Sequence, residues 1–441
     1  MADPGMSVTP YWELTFDADG DVDGPARDRL LTQVADRGVR DLVVFAHGWN
    51  NDRSGATALY RRFFAPFPGL APKARLGYVG VFWPSMRFSD EPIPDFPRSA
   101  AAVEAEREPR PALDKETRRA LVETFPDRAT VTDRLARMLD ERPDGEAGLP
   151  EFGRMVRLLL DADRRPGVAD TDEPGEPAVF GGDPVTVCER FADALAALGP
   201  PADADAAAFR LPNPWDGAKE LLRQATYHRM KRRAGTVGER GLGPLLGRLA
   251  AAAPGVRVHL VGHSFGGRLV AFALRGLPGS VAVVKSVTLL QGAFSHYAFA
   301  ARLPHAPDRS GTLKDRQRRV DGPLVCCHSR FDAALGTFYP LASRLAGDDR
   351  ACAGNEIAAV LGPRWGAMGH DGVQAVPGTV RLDLAAALGG RLPASGCVNV
   401  DVAAVVRRGG APSGAHSDIV HPELARLVLV AGRVVAADRV T

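Results

Sequence analysis

Several functional classes are weakened by what the chain has little of. Its 441 residues include five cysteines (Cys188, Cys326, Cys327, Cys352 and Cys397), an odd number with no CxxC spacing. That pattern argues against a disulfide framework or a cysteine-rich zinc site and points to a reducing compartment. Aromatic residues make up only 7% of the chain, too few for an extended base-stacking surface. Lys and Arg (55) nearly balance Asp and Glu (53), so the net charge of +2 gives no general attraction to nucleic acid. There is no run of about 18 uncharged apolar residues that would span a membrane. The opening MADPGMSVTPYWELTFDADGD has no basic segment followed by an apolar one, as a secretory signal would require. The expectation is a cytoplasmic protein with no membrane span and no nucleic-acid partner.

What is present reads as a large α/β protein. Apolar residues at 45% and charged residues at 24% are ordinary globular values, and the length suits one large domain with an insertion, or two domains. Residues 11–16 suit a strand, and 26–37 carry Leu30, Leu31 and Val34 at helical spacing. The runs 41–47 and 77–83 are short and almost continuously apolar, as expected of strands buried on both faces of a parallel sheet. Similar runs return at 256–261, 282–290, 323–328, 379–384 and 397–406, and 422–435 mixes a helix with a possible terminal strand. Strands alternating with helices predict a mostly parallel central sheet flanked by helices. Between them, residues 87–234 break the pattern. They open on the Pro- and charge-rich SDEPIPDFPRS and continue with helix-like segments near 114–124, 129–141, 151–163, 185–198 and 215–233. A connector such as RRPGVADTDEPGEPAVFGGDP separates them, which suggests mobile joints. The division expected is a core of 1–86 and 235–441 with a mostly helical insertion at 87–234.

The strongest chemical signal is Gly262-His263-Ser264-Phe265-Gly266, a G-x-S-x-G between a strand-like and a helix-like run. A strand-to-helix turn of this kind forces the serine into strained geometry and lifts its hydroxyl above the sheet edge. Small residues on both sides let the two backbones pass closely. The bland alternative is a Gly-rich turn with Ser264 as a helix cap. A serine also needs oxyanion donors. His47-Gly48-Trp49 ends another buried strand, and the N–H of Trp49 can face the same site as the N–H of Phe265.

These residues resemble the α/β-hydrolase superfamily over roughly 40–90 and 235–435. The similarity is greatest to bacterial serine hydrolases with an HGWNN-type loop, a Trp83-Pro84-Ser85 segment and a GHSFGG elbow. The resemblance implies a serine-hydrolase mechanism without specifying a substrate, and it puts residues 87–234 in the position of a cap or lid. It also implies the chain order Ser, then Asp or Glu, then His. Asp332, a few residues past the 323–328 run, is the candidate acid, with Asp401 as runner-up. His416, in a Gly/Ser loop, is the candidate base, with His370 as its rival. Gly410, Ser413 and Gly414 are expected to give the His416 loop mobility, whereas His421 looks like a helix-start residue and His263 like packing.

Three other features of the sequence bear on function. Phe294 and Tyr297 follow the 282–290 run and can line a substrate pocket or belong to the core. Residues 17–24, DADGDVDG, resemble a calcium loop but have Leu30 at its twelfth position, so a solvated turn is the simpler account. Arg229, Lys231, Arg232 and Arg233 suit a solvated or ion-paired helix face, or an anionic group of substrate or lipid. The expected function is hydrolysis of a small-molecule ester or lipid-like substrate, with no metal or organic cofactor. An acyltransferase with the same triad and a non-catalytic binding protein of this fold are the alternatives.

Overall fold

The computed structural model describes residues 5–49, 51–86, 88, 111–143, 147–161, 178–198, 212–335, 366–410 and 413–437. The Pro-rich stretch 89–99 and most of the connector 164–184, expected as mobile joints, lie outside the described residues, as does Cys352.

Eight strands form one sheet: β1 (Tyr11–Thr15), β2 (Asp41–Ala46), β3 (Leu76–Phe82), β4 (Arg257–His263), β5 (Val284–Leu290), β6 (Pro323–His328), β7 (Val380–Asp383) and β8 (Gly396–Asp401). Their order across the sheet is β1-β3-β2-β4-β5-β6-β8-β7, and every pairing is parallel. The class is α/β, with a sheet that is entirely parallel among the described strands. β2 and β3 are buried along their whole length, which is why they read as unbroken apolar runs. Alternate residues feed two cores: Leu42, Val44 and Ala46 face one side, Val43 and Phe45 the other.

Among the described residues, ten longer helices surround or extend this sheet: α1 (Gly24–Asp36), α2 (Arg53–Phe64), α3 (Lys115–Thr124), α4 (Ala129–Glu141), α5 (Gly148–Asp161), α6 (Pro184–Leu198), α7 (Pro214–Thr236), α8 (Gly243–Ala252), α9 (Phe265–Gly276) and α10 (Pro422–Ala431). α2 and α10 cover one face; α1, α7, α8 and α9 lie on the other. α7 runs into α8 through a π-helical turn, Val237–Leu242. The boundary expected at 234/235 therefore falls inside a continuous helical run. α7 packs on α6 and α5 on one side and on α9 on the other. Its burial all round follows from that position, and Lys231 and Arg233 are buried with it. Of the solvated or ion-paired face expected for this segment, the solvated alternative is thus corrected at these two residues. Arg233 donates to the Pro84 carbonyl at 2.7 Å, and Arg229 lies over the Phe125 ring. Leu121, Leu135, Phe152 and Phe191 of the inserted helices share one contiguous apolar core with the sheet face.

Two ends differ from the sequence expectation. β8 stops at Asp401, because its Oδ1 accepts from the Ala403 N–H at 2.9 Å and closes a turn. Among the described residues no terminal strand follows α10: the Gly432 and Val434 N–H groups return to the Val428 and Leu429 carbonyls at 2.9 Å and cap the helix. Residues 17–24 form the expected turn, with Asp17 Oδ1 accepting from two N–H groups and Asp23 capping α1. Cys188, Cys326, Cys327 and Cys397 are buried free thiols. Among the described residues, no helix is long and apolar enough to cross a membrane.

Candidate active site

The sheet order fixes where a site can form. The connection leaving β2 runs to β3 on one side, and the connection leaving β4 runs to β5 on the other. The carboxyl ends of the adjacent strands β2 and β4 therefore open a crevice at a topological switch point. The His47-Gly48-Trp49 turn and Ser264 both lie there.

Ser264 joins β4 to α9 with φ 55° and ψ −120°, a conformation that costs a non-glycine residue energy. Its surroundings hold it there. Its N–H donates to the Leu290 carbonyl at 3.0 Å, and its carbonyl accepts from Gly267 and Ala293. Small residues are required at this turn by space. A Cβ on Gly266 would lie 2.0 Å from the Ala46 carbonyl oxygen, and one on Gly48 would lie 2.8 Å from the Ser264 Cβ. The β2 turn and the start of α9 thus touch through bare backbone. Phe265 opens α9, so its N–H has no acceptor within the helix.

Across the crevice, the Ser264 hydroxyl donates to His416 Nε2 at 2.9 Å, and His416 Nδ1–H donates to Asp332 Oδ2 at 2.8 Å. Asp332 follows β6 and is fully buried, and its other oxygen accepts from the Leu335 N–H at 3.0 Å. The loops of Asp332 and His416 are bonded to each other: Ala415 donates to the Phe331 carbonyl at 2.8 Å and Ala334 to the Ser413 carbonyl at 3.2 Å. Gly414, at φ 59°, sits against Phe331 and Ala333 with no room for a side chain. The glycine therefore serves close approach between the loops. Asp418 accepts from the Arg407 and Arg408 N–H groups and from His421 Nε2, tying the same loop from behind. His421 is thus a partner of Asp418 as well as the residue before α10.

His370 stands on the turn Met368–Asp371, and His416 is the imidazole bonded to both Ser264 and Asp332. Asp401 is engaged in the turn after β8. Trp49 packs its ring against Phe88, Tyr227 and Phe265, so an aromatic wall from four parts of the chain stands beside the serine turn. Phe294 is fully buried in the main core, close to Gly267 and Gly292. Tyr297 lies in a small separate cluster with Ala300 and Leu303, its ring on His296 and His305.

The Trp83-Pro84-Ser85 segment locks the His47 turn. Trp83 Nε1 donates to the His47 carbonyl at 3.0 Å, its ring stacks on the His47 imidazole, and the Ser85 hydroxyl donates to the Asn51 carbonyl at 2.8 Å. The Tyr60 hydroxyl meets the His47 N–H at 3.0 Å. His263 is not mere packing: its Nε2 bonds the His416 carbonyl at 2.9 Å. Burial pushes the His47 imidazole down to about 4 and that of His263 down to about 3. These contacts to backbone carbonyls leave no spacing pattern in a sequence. Only the Trp-Pro-Ser segment carried a signal, through the resemblance.

Among the described residues, no group of three His, Cys, Asp or Glu side chains is placed to hold a metal ion. No protein-family model, curated protein or solved structure matches the chain.

Proposed function

We propose that the chain is a serine hydrolase of the α/β-hydrolase type, cleaving a carboxylic ester of a small or lipid-like substrate. The carrying observation is the bonded series Asp332–His416–Ser264, at 2.8 and 2.9 Å, with the serine strained at a strand-to-helix turn. A free serine hydroxyl is a weak nucleophile, and a bonded imidazole removes its proton as it attacks. Ser264 Oγ forms the bond to the carbonyl carbon while its proton passes to His416 Nε2. Asp332 holds Nδ1–H, fixes the tautomer and stabilises the imidazolium. The N–H groups of Phe265 and Trp49 receive the oxyanion. His416 then gives its proton to the leaving alcohol, and a water molecule, deprotonated by the same imidazole, releases the acid. Each proton has a protein donor or acceptor, so these steps require no cofactor.

In this reading, residues 1–86 and 235–441 form the hydrolase core and the helices within 87–234 a cap that governs access. Phe294 and Tyr297 remain candidates for the substrate pocket, and the Trp49–Tyr227–Phe265 wall adds a second candidate lining. Turnover of p-nitrophenyl butyrate tests the activity. Ser264→Ala should lower it by a factor on the order of 10³ or more without loss of fold. Equal turnover in the variant and the unsubstituted chain would dismiss the reading. Release of a butyrate ester of an added alcohol in place of butyric acid would make the enzyme an acyltransferase.

A further inference from the structure

We propose that His263 is a positioning residue for His416, holding the base loop against the nucleophile strand. This rests on the serine-hydrolase reading above.

The two halves of the site are carried by different parts of the chain. His416 shares a bonded unit with the Asp332 loop, through Ala415 to Phe331 and Ala334 to Ser413. Ser264 belongs to the β4–α9 turn. Two described hydrogen bonds tie one half to the other: the Ser264 hydroxyl to His416 Nε2, and His263 Nε2 to the His416 carbonyl, each at 2.9 Å. The first is consumed in every turnover, when the serine proton leaves and Oγ bonds to the substrate. The second is untouched by the chemistry and holds the loop in register throughout.

The bond also fixes the state of the His263 ring. A carbonyl only accepts, so Nε2 carries the proton. Nδ1 of the neutral ring is then a bare acceptor; it is buried, has no donor among the described residues and faces Gly48. The Gly48 backbone lies against both His263 and Ser264: a Cβ there would meet Nδ1 at 3.0 Å and the Ser264 Cβ at 2.8 Å. The ring lies 5.1 Å from that of His416. Burial, and secondarily the neighbouring His416, keep His263 neutral, so it adds no repulsion when His416 becomes charged.

The test compares His263→Leu, His263→Asn and His263→Gln, using p-nitrophenyl butyrate turnover and nitrogen-15 spectra of labelled histidine. A glutamine amide reaches about as far as imidazole Nε2; asparagine falls short, and leucine has no donor. Displacing a catalytic group by about 1 Å costs roughly 10²-fold. His263→Asn and His263→Leu should therefore lower kcat by roughly 10- to 100-fold with KM within about twofold, and His263→Gln should recover most of the loss. Should leucine prevent folding, the asparagine and glutamine pair carries the comparison. Equal losses in Gln and Asn would reduce His263 to packing and overturn the proposal. The spectrum reads the tautomer without activity: Nε2–H in the unsubstituted chain is expected, and Nδ1–H overturns the inference even in an active enzyme. An inert chain with the Nε2–H tautomer would instead remove the hydrolase reading, and this role with it.

Discussion

At the scale of single residues, His416 and His370 are the two candidate bases, and the bonding pattern separates them. His416 reaches Ser264 and Asp332 together, whereas His370 belongs to a turn packed on residues 292–294. His416→Ala should lose nearly all ester hydrolysis, on the order of 10³-fold or more in kcat. His370→Ala should keep a substantial part of it. An inactive His370→Ala beside an active His416→Ala would reverse the assignment and cast doubt on Asp332 as well. Position in the chain, after the last core strand and before a helix, favours His416 over His370 in the sequence. The residues that hold it were not legible in the same way. His263 and Asp418 act through backbone carbonyl and N–H groups, and such bonds leave no periodicity or spacing. At Gly414 the sequence alone does not reveal whether a glycine serves freedom or close approach.

At the scale of elements, the contact between β2 and α9 is the most demanding. Gly266 lets the helix start lie directly on the Ala46 carbonyl. Gly266→Ala would require one of the two backbones to move and should destabilise the fold by about 1–3 kcal/mol, with a parallel loss of turnover as the Gly48 turn shifts from Ser264. Urea unfolding with unchanged slope and a lower midpoint would show it; an unaltered midpoint would mean that the turn has more room than this geometry allows. The strands themselves were legible, since burial on both faces demands unbroken apolar runs. Their order was not. The reversal at the edge, with β8 inside β7, depends on long-range packing, and Asp401 ended β8 through a side-chain bond that apolarity does not register. The run from α7 to α8 was also hidden; there Gly235, Gly238 and Gly243 lie against Phe272, Leu269 and Ala273 of α9.

At the scale of the whole molecule, three buried histidines make stability depend on pH. Burial lowers His47 to about 4 and His263 to about 3, and lowers His259 as well against the pull of Asp41. In the unfolded chain these imidazoles take up protons near pH 6.5, roughly their unperturbed value. Between the two ranges the unfolded state binds more protons, so stability rises with pH. It should be fully present above about pH 6.5 and fall as the pH is lowered toward 4. Thermal unfolding between pH 7 and 4 checks this, and His263→Gln should flatten the slope. A midpoint that does not change over that range would mean that these rings are not held neutral. The central claim, that Ser264 is an activated nucleophile, is tested most directly by reacting the unsubstituted chain with a fluorophosphonate and locating the adduct by mass spectrometry. The account predicts one adduct per chain, on Ser264, formed much more slowly in His416→Ala. No adduct, or an adduct on another serine, would contradict it.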